Sequence, residues 1–282
     1  MTYRMNVSSI AILSNENAID DLKIFIYTLE RWNVSLPTLY IYCTSVSKDQ
    51  ISSLQYKGTT HYNTSLDLYS NLTRARMETM PSNQNLSNKW HDFMNEKCNL
   101  MEWALKNSQT GVLLCDADLC WLGPLPVIPE GTEVALSPHL ILESDEEKFG
   151  KYNGGLIWMS STRAVQTWRE ASMVSKFFEQ YALNTVAESY TIYEFGSHIN
   201  YGWWRMFQGR VTPDKCKAQW TIHRDDAHSG LCVNGAPVVC IHTHWKTTGY
   251  VTNMFNTWIV GKLMILKKNK KVAMILRFLG KL

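Results

Sequence analysis

The chain has 282 residues, 45% hydrophobic and 19% charged. That composition excludes disordered, collagen-like and low-complexity proteins, and at about 150 residues per domain it allows one large α/β domain or two modest ones. The net charge of +3 is uneven: seven of the 28 basic residues and none of the 25 acidic ones lie between Trp258 and Leu282, which leaves a mildly acidic body poorly suited to nucleic acid.

No stretch approaches about 18 uninterrupted apolar residues, which excludes a transmembrane helix, and the opening Met1–Ser9 is too polar for a signal peptide. A cytoplasmic protein is expected. The seven cysteines agree, since an odd number with no CxxC pair is not a disulfide framework or a zinc knuckle.

In chain order, the apolar run Ser9–Leu13 predicts a strand, and Ser14–Asn17 supplies turn and N-cap chemistry. Ile19, Leu22, Ile26 and Leu29 then fall at helical spacing up to Arg31–Asn33, and residues 38–44 give a second strand. A strand, crossover helix and strand imply a parallel pair in an open sheet. Residues 45–88 predict short helices and a mobile loop around Pro81–Asn88, and Lys89–Asn107 predicts an amphipathic helix feeding a central strand at Gly111–Cys115. Further strands are expected at Glu133–Ser137, Gly155–Met159 and Val238–His242, with helices at Arg163–Leu183 and near Thr252–Leu266. No GxGxxG follows the first strand and no GxxxxGK[ST] occurs, which disfavours a dinucleotide site and a Walker phosphate loop.

Asp116 and Asp118 end the central strand, where open α/β sheets place their ligand crevice. In extended chain the side chains at i and i+2 point the same way, so the two carboxylates converge, and a cation offsets their repulsion. Oxygen ligands suit Mg²⁺ or Mn²⁺, which typically bridge carboxylates to phosphates. The alternative for the pair is a solvated, capped loop.

The helix bearing Lys97, the run Gly111–Asp116-Ala117-Asp118 and the segment Tyr152-Asn153-Gly154-Gly155 together resemble GT-A fold glycosyltransferases. Glycogenin-like enzymes, bacterial lipopolysaccharide galactosyltransferases and small sugar transferases of large algal viruses share this layout. The resemblance implies one Rossmann-like GT-A domain over residues 1–257, an open and mostly parallel sheet, and a basic helical tail over 258–282. It also implies a donor nucleoside-diphosphate sugar, expected to be a UDP-sugar, with Mn²⁺ or Mg²⁺ under the diphosphate. Transfer goes to a hydroxyl of a glycan, glycoprotein or glycolipid acceptor, with retention expected.

Carried onto this sequence, the resemblance assigns the metal to Asp116 and Asp118. It assigns the donor to Asn15, Lys97, Asp116, Ala117, Asn153, Gly154, Gly155 and Lys246. The strand Pro237–His242, followed by Thr243-His244-Trp245-Lys246, resembles the late region that supplies a histidine ligand and a phosphate-binding lysine, although the familiar Lys-Pro-Trp is absent. His242 and His244 would share one strand face, and His242 is favoured because it directly ends the apolar run. The aromatic segment Tyr190–Trp204 is expected on the acceptor side, with His198 and Trp203 as contacts and Glu194 facing the reacting carbon. An inverting course would need a base such as Glu194 or Asp145.

Two other readings stand beside this one. Residues 223–228 together with His242 and His244 could form the His/Asp site of a metal-dependent hydrolase. The tail alone could make a membrane-associated module, since Val272, Ile275, Leu276 and Leu279 form an apolar helical face among lysines suited to an anionic membrane.

Overall fold

The computed structural model describes residues 4–84, 86–223 and 226–282. Ten strands position the site: β1 (Ser9–Leu13), β2 (Thr38–Tyr42), β3 (Thr60–Asn63), β4 (Val112–Asp116), β5 (Leu119–Trp121), β6 (Val134–Pro138), β7 (Tyr152–Met159), β8 (Ile192–Glu194), β9 (Tyr201–Gly202) and β10 (Cys240–His242). Seven build a central sheet in the order β8-β6-β7-β4-β1-β2-β3. Its pairs are parallel except at β7, which runs antiparallel to both neighbours. The expected open, mostly parallel α/β sheet is what the chain forms.

Strand alternation divides the interior. On β1, Ile10 and Ile12 enter one core while Ala11 and Leu13 enter the other, as do Leu39 and Ile41 against Tyr40 and Tyr42 on β2. The first core is covered by α1 (Ile19–Trp32), which buries Leu22, Phe25 and Leu29. The second is covered by α2 (Lys89–Asn107) and α3 (Thr162–Met173), through Leu100, Met101, Val165 and Trp168. Asn88 caps α2 by accepting from the His91 N–H, and Ser161 caps α3 by accepting from the Ala164 N–H.

The helix expected as one piece over 163–183 is instead three: α3, a single turn at Phe178–Tyr181 and a helix at Leu183–Ser189. Phe178 sits in the left-handed region at φ 43°, which no continuous helix accommodates. The loop at 81–88, of which Asn85 lies outside the described residues, is tied to α2 by the Asn83 N–H, which donates to Asp92 Oδ2 at 2.7 Å.

The tail adds to the body's core. Helices α4 (Tyr250–Ile265) and α5 (Lys270–Phe278) bury Phe255, Ile259, Leu263, Val272, Ile275 and Leu276 in the same core as α1. Tyr27 on α1 stacks on Phe278 with centroids 3.9 Å apart, and its hydroxyl donates to the Met274 carbonyl at 3.3 Å. The apolar face expected to meet a membrane is therefore turned inward, where Val272, Ile275 and Leu276 share the core with α1.

Candidate active site

The cluster arises from strand register. Asp116 ends β4, Asp118 lies in the tight connection to β5, and β10 pairs antiparallel with β5 so that His242 stands opposite Leu119. The Thr243 N–H donates to the Asp118 carbonyl at 3.2 Å and fixes the crossing. His242 Nε2 consequently lies 3.0 Å from Asp118 Oδ1 and 3.8 Å from Asp116 Oδ2. One ligand atom from each of the three residues falls within 4.8 Å of the others, the only such group among the described residues.

Two oxygens and one imidazole nitrogen form a donor set that could hold a divalent cation such as Mn²⁺ or Mg²⁺. The space between them is kept open by Gly155, where a Cβ would stand 2.7 Å from Asp116 Oδ2 and 2.9 Å from Asn153 Oδ1 and would strike the His242 ring. Burial alone would raise the Asp118 carboxyl, but His242 and then His244 hold it well below the ordinary range. The cluster is thus arranged around ionised carboxylate.

Lys97 supports the pair from below. Its buried ammonium donates to Asp116 Oδ1 at 2.9 Å, Glu179 Oε1 at 3.0 Å and the Gly154 carbonyl at 3.0 Å. Burial opposes that charge, yet the Asp116 and Glu179 carboxylates outweigh it and keep the ammonium protonated beyond the usual lysine range. His244 points the other way: its Nδ1 lies 2.8 Å from Asp21 Oδ2, with Nε2 3.5 Å from Asp118 Oδ2. The Asp21 bond pushes the His244 imidazole up to about 9.

Above the cluster lies a cavity of about 550 Å³ at the carboxyl ends of β1 and β4, within the size range of small-molecule sites. Trp90, Phe93 and Met94 of α2 form one wall and Trp203 and Trp204 another, while Arg74 enters from the segment after β3 and packs 5.1 Å over the Trp90 ring.

Comparison with solved structures settles the architecture. The galactosyltransferase LgtC, in complex with donor and acceptor sugar analogs, matches with a TM-score of 0.53 over 88% of this chain and 94% of its own, at 13% identity. The Streptococcus pneumoniae TIGR4 glycosyltransferase GlyE matches with a TM-score of 0.50 over 89% of this chain and 59% of its own, at 11% identity. The chain has the GT-A glycosyltransferase fold. No protein-family model matches the chain, and no curated protein sequence matches it.

Within this GT-A fold the expected site residues separate into two groups. Asn15, Lys97, Asp116, Ala117, Asp118, Asn153, Trp203 and His242 all line the cavity, and Gly154 and Gly155 border a smaller recess beside it. Asn15 is also structural, because its Nδ2 donates to the Tyr69 and Leu72 carbonyls and its Oδ1 caps the turn at Asn17.

Glu194, His198 and Lys246 do not line it. Glu194 sits on edge strand β8, where Lys151 and the Tyr152 hydroxyl hold its carboxylate at 2.7 Å each. His198 faces the back of the Gly196 turn, and Lys246 pairs with Asp20 at 2.9 Å outside the cavity. Of the segment 223–228, Arg224 and Asp225 lie outside the described residues, and no metal-holding group forms there among the described ones. Sequence reasoning missed Arg74, Trp90, Glu179, His139 and Asn200. Arg74 falls in a stretch of weak periodicity, and Trp90 shares the apolar face of α2 with Phe93 and Met94, so locally it reads as packing.

Proposed function

We propose that the protein is a glycosyltransferase that moves a sugar from a UDP-sugar to a hydroxyl of a glycan, glycoprotein or glycolipid acceptor, with a divalent cation, Mn²⁺ or Mg²⁺, and with retention of configuration. The observation that carries this reading is the convergence of Asp116, Asp118 and His242 at the floor of a ligand-sized cavity in a GT-A fold. A bound cation would supply charge neutralisation for a departing diphosphate. Lys97 holds Asp116 with one oxygen free for that purpose, Arg74 lies at the cavity rim with its Nε bound to Glu78 at 2.7 Å, and the Trp90 and Phe93 faces suit a base or a sugar.

Retention is favoured by the state of the carboxylates. Each one lining the cavity or its side recess already has a partner: Asp21 has His244, Asp116 and Glu179 have Lys97, and Asp118 has His242. None of these cavity carboxylates is without an ion-pair partner, which supports a course that needs no unpaired carboxylate base there. As part of the same reading, the exposed Lys267, Lys268, Lys270, Arg277 and Lys281 would meet an anionic membrane on its cytoplasmic side by charge alone.

The test is a screen of UDP- and GDP-sugars with Mn²⁺ for acceptor-dependent release of the nucleoside diphosphate. One donor should support release, and Asp118→Asn should lower it by roughly a hundredfold or more while the fold persists by circular dichroism. Undiminished Mn²⁺-dependent release in Asp118→Asn would sink the metal assignment. Hydrolysis that needs metal but no acceptor would instead support the hydrolase reading.

A further inference from the structure

Only one ring nitrogen of His242 faces the two aspartates. Nε2 is the one near Asp118, whereas Nδ1 lies 2.9 Å from Asn200 Oδ1. An imidazole ligates through one nitrogen while the other keeps its proton, so what holds Nδ1 decides what Nε2 can do.

Two backbone groups dictate the direction of every hydrogen bond that leads to Nδ1. The Gly150 carbonyl can only accept, so His139 donates to it from Nδ1 at 3.1 Å. His139 Nε2 then accepts from Asn153 Nδ2 at 3.2 Å. From the other side, the Gly155 N–H can only donate, and it does so to Asn153 Oδ1 at 3.0 Å, which requires the same orientation of the Asn153 amide. Asn153 Oδ1 also accepts from Asn200 Nδ2 at 2.9 Å, so Asn200 presents its oxygen to His242 and receives the Nδ1 proton.

The surroundings are built to hold this arrangement. Asn200 is fully buried at φ 58°, a left-handed conformation that persists where packing over-determines it. The buried Arg205 guanidinium donates to the carbonyls of Pro138 and His139 on one side and of Ser197 and Ile199 on the other, clamping together the two segments that carry His139 and Asn200.

We infer that Asn200 and His139 are positioning residues for His242: the chain of hydrogen bonds from Gly150 keeps the His242 Nδ1–H donating to Asn200 Oδ1 and so reserves Nε2 for the cation. The inference rests on the metal reading of the cluster, yet its first readout needs no metal. In the full-length protein, the His242 Nδ1 proton should appear by ¹⁵N-resolved NMR as a slowly exchanging imidazole resonance, assigned by its absence in His242→Gln.

His139→Leu should speed that exchange and weaken Mn²⁺ binding, read by electron paramagnetic resonance, by about tenfold. His139→Gln should restore both, because its amide can donate to Gly150 and accept from Asn153. Asn200→Gly, which suits the backbone angle and deletes only the amide, should lose the protected proton altogether and serves where His139→Leu does not fold. Wild-type exchange and wild-type Mn²⁺ affinity in His139→Leu, or a protected Nδ1 proton in Asn200→Gly, overturns the inference. A protected proton in a wild-type chain that binds no Mn²⁺ overturns the metal reading while leaving the hydrogen-bond chain supported.

Discussion

Lys97 donates to Oδ1 of Asp116 across 2.9 Å and leaves Oδ2 turned toward His242. One carboxylate thus serves two masters, a permanent internal cation and the open cluster, and the division is made by which oxygen each one takes.

Replacing Lys97 should therefore cost stability as well as function. Lys97→Met leaves Asp116 and Glu179 without their shared counter-charge, and loss of one partner from a buried ion pair costs roughly 3–5 kcal/mol. Equilibrium denaturation should show that loss. The double variant Lys97→Met/Glu179→Leu should recover part of it, since the second buried charge is then gone.

His242 and His244 should behave differently despite their two-residue spacing. His242→Ala removes a cluster nitrogen and is expected to weaken Mn²⁺ affinity by about 10–100-fold. His244→Ala, which breaks the contact to Asp21, should change that affinity far less. Isothermal titration with Mn²⁺ checks the order, and a larger loss in His244→Ala would move the ligand two residues along.

Stability should fall on the acid side because of His139. Burial, with Arg205 nearby, brings its imidazole down to about 4 from an ordinary value of 6.5. Between those values the unfolded chain holds a proton that the folded chain does not, so stability is fully present above pH 6.5 and declines as pH falls toward about 4. The shift corresponds to about 3 kcal/mol by pH 4. Urea titrations across that window should show the slope, and His139→Gln should flatten it.

The tail should prove indispensable to the fold. A chain ending at Asn256 loses Ile259, Leu263, Val272, Ile275 and Leu276 from the core and is expected to lack a cooperative melt by circular dichroism. Ile275→Ala in the full chain should cost roughly 2–5 kcal/mol, measured by guanidinium unfolding.

The elements that the sequence declares most clearly are those whose own residues carry the whole signal. Ser9–Leu13 reads as a buried strand because every position is apolar or small, and Lys89–Asn107 as a helix because its apolar spacing is long and Asn88 caps it. Asp116, Asp118 and His242 are legible for a related reason: charged or ligating residues directly ending apolar strands are expensive unless something uses them. The rest depends on partners distant in sequence. Glu194 looks free until Lys151, 43 residues earlier, neutralises it, and Lys246 looks available until Asp20 takes it. Asn200 and His139 are single polar residues in irregular segments, and pairing between strands distant in sequence, together with the clamp by Arg205, brings them within reach of the cluster.

The packing of Tyr27 against Met274 and Phe278 joins residues 247 and 251 positions apart. On a ribosome, strand β1 and helix α1 are made well over two hundred residues before α5, so the apolar surface of α1 that α5 covers stays bare until residue 278 has left the exit tunnel. Throughout synthesis the nascent chain displays a sticky flank that cannot be closed locally. This core therefore closes only after residues 270–278 have been made, late relative to the strand and helix that it covers.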